Sequence, residues 1–210
     1  MRILTVILSV LLLASCDNGV RFETPQPEGQ TNENTIPKKL IGEYFSLEDS
    51  SRLNITFGQI TKTLISDLSL HKSELDSSDR LTFNKDSTFS QTDSKMRIDF
   101  IVKGDSVFEH VIYKDTIFDA SKGDVLKKLK GYYFLNRQTT KNDWVVTKLT
   151  KTKKGLTLGS VTKKEDIDNL RELTETKSDT IKKFRPTRKQ FKRFIKSNGF
   201  SDEETFLKIK

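Results

Sequence analysis

Cysteine is almost missing from these 210 residues: Cys16 is the only one. A lone cysteine excludes an intrachain disulfide, so the fold must stand on its core. Histidine is nearly as scarce. His71 and His110 are the two, and neither has a partner at metal-ligand spacing. The chain carries no HExxH pair, no phosphate-binding glycine loop, no dinucleotide fingerprint and no nucleophile elbow. No metal and no cofactor are therefore expected, and an enzyme is the minority reading. Long apolar runs are lacking too. The one that exists, "ILTVILSVLLLAS" before Cys16, falls short of the roughly 20 residues a bilayer span takes. It is also too uninterrupted for a surface helix, which would carry a polar face.

What is present at the start is a single positive charge at Arg2, that apolar run, and small residues at its end. These are the three zones of a secretory signal, here residues 1–15. Leu13-Ala14-Ser15-Cys16 closely resembles the bacterial lipobox. The resemblance implies cleavage before Cys16, a diacylglycerol thioether on its thiol and a further acyl chain, palmitate or similar, on its amine. Such a lipoprotein is held at the bacterial cell envelope by its lipid, since stable anchoring takes at least two membrane signals. Which membrane and which leaflet stay open. Residues 16–36 then read as the acylated cysteine and a flexible tether, polar and broken by Pro25 and Pro27.

Residues 37–210 read as a single β-rich domain. Alternating runs such as "LNITF", "MRIDFIVKGDSVFEHVIYKDTIFDA", "GYYFLN" and "DWVVTKLT" predict a mainly β fold, an antiparallel meander or barrel-like sheet. Asn84-Lys85-Asp86 and Lys103-Gly104-Asp105 mark tight turns. In "QITKTLISDLSL" the spacing of Ile60, Leu64 and Leu68 favours a short helix. Lys-Lys-Leu-x-Gly-x-Tyr-Phe occurs twice, at 38–45 and 127–134, each copy placing a glycine where the chain enters a strand and an aromatic pair across the sheet. In the first copy Leu40, Gly42 and Tyr44 resemble the opening strand of lipocalin-like barrels, which implies a carrier of a small apolar ligand.

The C-terminal region, about 162–208, changes to helical period. Thr162 with Glu165, and Thr187 with Gln190, are capping-box pairs. Ile167, Leu170 and Leu173 form one apolar stripe, and Phe191, Phe194 and Ile195 another. Asn198-Gly199 should end the second helix, with Phe200 folding back on it. Ser201 and Glu204 predict a further short helix around Phe206.

Charge is divided unevenly. Residues 17–120 hold 12 basic and 18 acidic side chains, whereas residues 121–210 hold 24 and 11. Lys189, Lys192, Arg193 and Lys196 lie off the Phe191/Phe194/Ile195 stripe and make a basic helix face. That face suits an acidic protein, an acidic polysaccharide or phospholipid headgroups. Nucleic acid is not expected for an exported, membrane-tethered chain. The leading reading is thus an envelope lipoprotein that binds or assembles through this face. Two others remain: the apolar-ligand carrier, with Tyr132, Tyr133 and Trp144 as its platform, and a hydrolase built on carboxylates among Asp99, Glu109 and Asp119, or on His110.

Overall fold

The computed structural model describes residues 20–71, 73, 88–92, 95–176 and 182–209. Cys16, the signal segment and the turn at Asn84-Lys85-Asp86 lie outside the described residues. In chain order the strands are β1 (Arg21–Phe22), β2 (Asn32–Glu33), β3 (Gly42–Ser46), β4 (Arg52–Ile55), β5 (Gln59–His71), β6 (Thr88–Thr92) and β7 (Met96–Lys103). They continue with β8 (Ser106–Asp119), β9 (Val125–Leu129), β10 (Tyr132–Thr140), β11 (Asp143–Lys151) and β12 (Gly155–Ser160). Helix α1 (Lys164–Thr174), β13 (Lys183–Phe184), helix α2 (Arg188–Lys196) and β14 (Asp202–Lys208) complete the chain. The fold is mainly β, an antiparallel sheet that is not closed into a barrel, with two helices near the C-terminus.

Where the sequence suggests one domain, the chain clusters into two compact units. The smaller contains residues 63–115; the larger contains the described residues up to 62 and those from 116 onward. In the smaller unit β8 pairs with β5 and β7, and β7 pairs with β6. The β7–β8 register closes on Lys103 opposite Ser106, with Gly104 at φ 56, the tight turn the sequence predicts. Its apolar cluster is small: Phe100, Val102 and Val107, with Ile98 packed alongside.

In the larger unit the strands run β2–β9–β10–β11–β12–β14–β3–β4. Side chains alternate across β10, and that alternation separates two cores. Tyr133 and Leu135 enter one with Tyr44, Leu53, Ile60, Phe118 and Phe206. Phe134 enters the other, between the sheet and the helices, with Phe22, Phe184, Phe191, Phe194 and Phe200. Each fully buried Phe in that second core contributes about 1.5–3 kcal/mol from its apolar surface alone. Both motif copies behave as their shared pattern implies: Tyr44 and Tyr133 are buried in the same core. The copies differ ahead of the glycine, because Lys38–Leu40 is a 3-10 turn and Lys127–Leu129 is strand.

Three local readings are corrected. Residues 59–70 are strand, not helix: Ile60, Thr61, Thr63 and Ile65 are β-branched, and pairing with β4 and β8 uses their backbone. Residues 202–208 are strand too, since β14 fills the place between β12 and β3 with Phe206 fully buried. Helix α1 begins without the expected Thr162 cap. Its N-cap is Lys163, with no side-chain cap bond, and the Thr162 hydroxyl donates to Asp202 instead.

The largest correction concerns the expected tether. Residues 20–36 are built into the larger unit: Val20, Phe22 and Ile36 are buried, and β1 and β2 pair with β11 and β9. Their anchorage is polar as well as apolar. Asn136 Nδ2 donates to the carbonyls of Gln26 (2.9 Å), Val125 (3.0 Å) and Phe134 (3.1 Å), while its Oδ1 accepts from the Gln26 amide. Lys127 Nζ donates to the carbonyls of Pro25 and Pro27, both at 3.0 Å. Burial pulls the Lys127 ammonium below its usual range, against the opposing charge of Glu28.

A second polar tie carries a pH prediction. Lys62 Nζ lies 2.9 Å from Asp49 and 2.7 Å from Glu204 of β14. Burial of Asp49 works against its charge, but the hydrogen bonds from Ser51 and Lys62 outweigh it and hold the carboxyl well below the usual range. The stabilisation is therefore present above the ordinary carboxylate value and is lost as pH falls through the lower folded one. Urea midpoints should fall on acidification below roughly pH 4, and Lys62→Met should flatten that slope. An unchanged slope in the variant would remove this tie from the account.

Candidate functional site

Helix α2 shows how local sequence builds a presented surface. Thr187 Oγ1 accepts from the Gln190 amide (3.3 Å), and Gln190 Oε1 accepts from the Thr187 amide (2.8 Å), completing the capping box. Phe191 and Phe194 are fully buried. Phe191 is the hub of the ring cluster, 5.1 Å from Phe134, 5.9 Å from Phe200 and 6.3 Å from Phe22 between centroids. The helix ends at Ser197, and the left-handed residue beyond it is Asn198, at φ 63. Gly199 has a different task. A Cβ there would lie 2.5 Å from the Phe194 ring. Gly199→Ala should cost about 1–3 kcal/mol through overpacking, read as a lower thermal midpoint. Phe200 folds back to 5.3 Å from Phe194, as its position predicts.

With that stripe buried, Lys189, Arg193 and Lys196 are exposed and Lys192 is half-buried. None of the four makes an ion pair among the described residues. They belong to a longer run: residues 182–196 hold eight Lys or Arg and no acidic residue. Helix α2 also has no acidic side chain in its first turn, where Arg188 and Lys189 stand instead. Cations at that end oppose the helix dipole by about 0.3–1 kcal/mol each. Helix α1 follows the opposite and favourable rule, with Glu165 and Asp166 first and Arg171 last. The charge at the start of α2 is thus not what helix stability alone would select, whereas Arg193 and Lys196 in its last turn suit the dipole.

The rest of the basic run is fixed to its neighbours. Lys183 pairs with Asp143 at 2.6 Å, and Arg185 approaches Glu28 at 3.4 Å. Arg188 donates to Gln30 Oε1 at 2.8 Å. The Lys183 hydrogen bond, and then that of Thr140, lower the Asp143 carboxyl. Beside these residues lies a polar cleft of about 430 Å³ lined by Glu23, Thr24, Asn142, Lys183 and Arg185.

The aromatic platform does not assemble. Tyr132 and Tyr133 are strand neighbours and face opposite cores: Tyr133 is buried with Tyr44, while Tyr132 and Trp144 pack on the helix side. Asp99 and Glu109 do not converge either. Asp99 stands opposite His110 and Glu109 opposite Phe100, so the two acids emerge on opposite faces of β7–β8. Burial raises the Glu109 carboxyl, whereas the Asp119 carboxyl is lowered chiefly by the Ser121 hydroxyl. His110 Nδ1 lies 2.6 Å from Asp67 Oδ1, and His71 Nδ1 lies 2.7 Å from Ser73 Oγ. Among the described residues no three His, Cys, Asp or Glu side chains gather as a metal site needs. No helix among them is long and apolar enough to cross a membrane.

The residues sequence reasoning missed are Asn136 and Lys127, which tie down residues 25–27. One signal could have found Asn136. It closes the apolar run "YYFL" in a strand buried on both faces, where an amide needs designated partners. Comparison of the chain with protein-family models, with curated proteins and with solved structures finds no match.

Proposed function

We propose that this chain is a lipid-anchored protein of the bacterial envelope that binds or assembles with an acidic partner through the basic face of α2. Cys16 is the attachment point, and Lys189, Lys192, Arg193 and Lys196 make the contact. The observation that carries the reading is the pairing of a buried Phe191/Phe194 stripe with four cations that have no ion-pair partner among the described residues. Surface lysines that merely solvate a helix would be expected to mix with acidic neighbours; this run contains none. The carrier reading is weakened because its platform divides, Tyr133 packing into one core and Tyr132 and Trp144 against the other.

The test is reversal of all four side chains to Glu in the acylated protein. Binding to an acidic polysaccharide, to anionic vesicles and to envelope membranes is then compared with the parent. At least one of these should weaken tenfold or more, with the parent's affinity falling steeply as salt rises. Unchanged binding to all three would sink the reading. Circular dichroism of the variant guards against simple unfolding.

A further inference from the structure

The proposed anchor and the basic run are joined by very little chain. Three residues, 17–19, lie between Cys16 and Val20, which is already buried. The four Cα-to-Cα steps reach no further than about 14 Å even when fully extended. The headgroup layer takes up roughly 5–8 Å of that on each side of the bilayer. What remains is comparable with the Debye length of about 8 Å at physiological salt.

The place where the chain enters the fold is the basic run itself. Strand β1 pairs in parallel with β13, Arg21 opposite Lys183 and Phe22 opposite Phe184. The Arg21 amide donates to the Lys182 carbonyl at 2.7 Å, and the Glu23 amide to the Phe184 carbonyl at 3.0 Å. Three residues after β13 the helix α2 begins. Val20 and Phe22 share one apolar cluster with Phe191 and Phe194, beneath α2. All of these residues lie in the larger unit. Eight cations therefore occur in the 15 residues next to the entry point of an acylated chain. Glu28 and Asp143 offset two of them, Arg185 and Lys183.

The geometry points to anionic phospholipid headgroups of the anchoring membrane as the partner of this face, so that α2 lies against the bilayer that holds Cys16. This rests on the anchor and basic-face reading above. A soluble acidic partner is the less favoured occupant, because it would have to compete with a phosphate surface held within one Debye length. The acyl chains hold the protein at the bilayer, and the polybasic segment adds an attraction to the same surface that orients it.

The test uses the full acylated protein in vesicles of neutral phosphatidylcholine, with and without phosphatidylglycerol. With Cys16 acylated, Ser197→Cys, at the exposed end of α2, supplies a single thiol for a fluorescent donor and keeps all four cations; Lys122→Cys, outside the basic run, is the control. Energy transfer to a headgroup-labelled acceptor should rise at least twofold at position 197 when phosphatidylglycerol is present. It should fall again in 0.5 M salt, while position 122 changes little. Transfer at 197 that ignores both lipid charge and salt overturns the membrane assignment. If the fourfold Glu variant nevertheless loses polysaccharide or envelope binding, the basic face stands and only its partner was wrong. If that variant also binds normally, the basic-face reading fails with it.

Discussion

Phe191→Ala should remove about 3–5 kcal/mol of stability, the usual cost of deleting a buried Phe. Its ring sits among those of Phe22, Phe134, Phe194 and Phe200 and is fully buried. Few neighbours can relax into the space. Phe22 and Phe134 are held on strands, and Phe200 is seated by the turn after α2 at φ 67. The loss combines burial, ring-edge contacts and a cavity that collapses only in part. Against a typical total of 5–15 kcal/mol, one substitution would consume a large share. Trp144, the only tryptophan, packs on the same cluster, so its fluorescence reports this region directly in urea titration. A loss below about 1 kcal/mol would mean that the helices are not docked on the sheet in this way.

Asn136→Leu is expected to be nearly as damaging, by a different route. Leucine keeps the volume but strips four hydrogen bonds, two of them to the Gln26 backbone. Each buried backbone group left without a partner costs about 1–3 kcal/mol. Residues 24–28 should then detach, because the Lys127 bonds and the longer Arg185–Glu28 contact that remain are too few to hold them, and limited proteolysis should cut there while leaving the sheet intact. Leu135→Val, a one-methylene change on the neighbouring side chain, serves as the packing control. It should cost about 0.5–1.5 kcal/mol with no new cleavage. A resistant Asn136→Leu protein would show that the segment is secured without the Asn136 bonds.

These two sites show which features were legible in the sequence. Helix α2 was readable because its causes are local: the Thr187/Gln190 cap, the Phe191/Phe194 stripe and the stop at Asn198 lie within a dozen residues. The β class was readable from alternation, which the Tyr133/Phe134 division between two cores bears out. Strand β14 was not, since "DEETFLK" carries one buried side chain and is held extended by β12 and β3. Residues 20–36 read as a tether for a related reason. Their composition is too polar to order itself, but their partners lie about a hundred residues away in Lys127 and Asn136. The platform failed on period alone, because adjacent tyrosines on a strand cannot share a face. For the candidate site, the four cations were legible by helical spacing. Their proximity to the anchor was not, because it depends on the parallel β1–β13 pair.

The measurement that bears most directly on the account is the intact mass of the protein purified from its own membranes, with fragmentation of its first peptide. The expected species begins at Cys16 and carries a diacylglyceryl group on the thiol, a modification absent in Cys16→Ser. A chain that keeps residues 1–15, or one that begins elsewhere with Cys16 unmodified, would contradict the lipid anchor and, with it, the membrane as partner of α2.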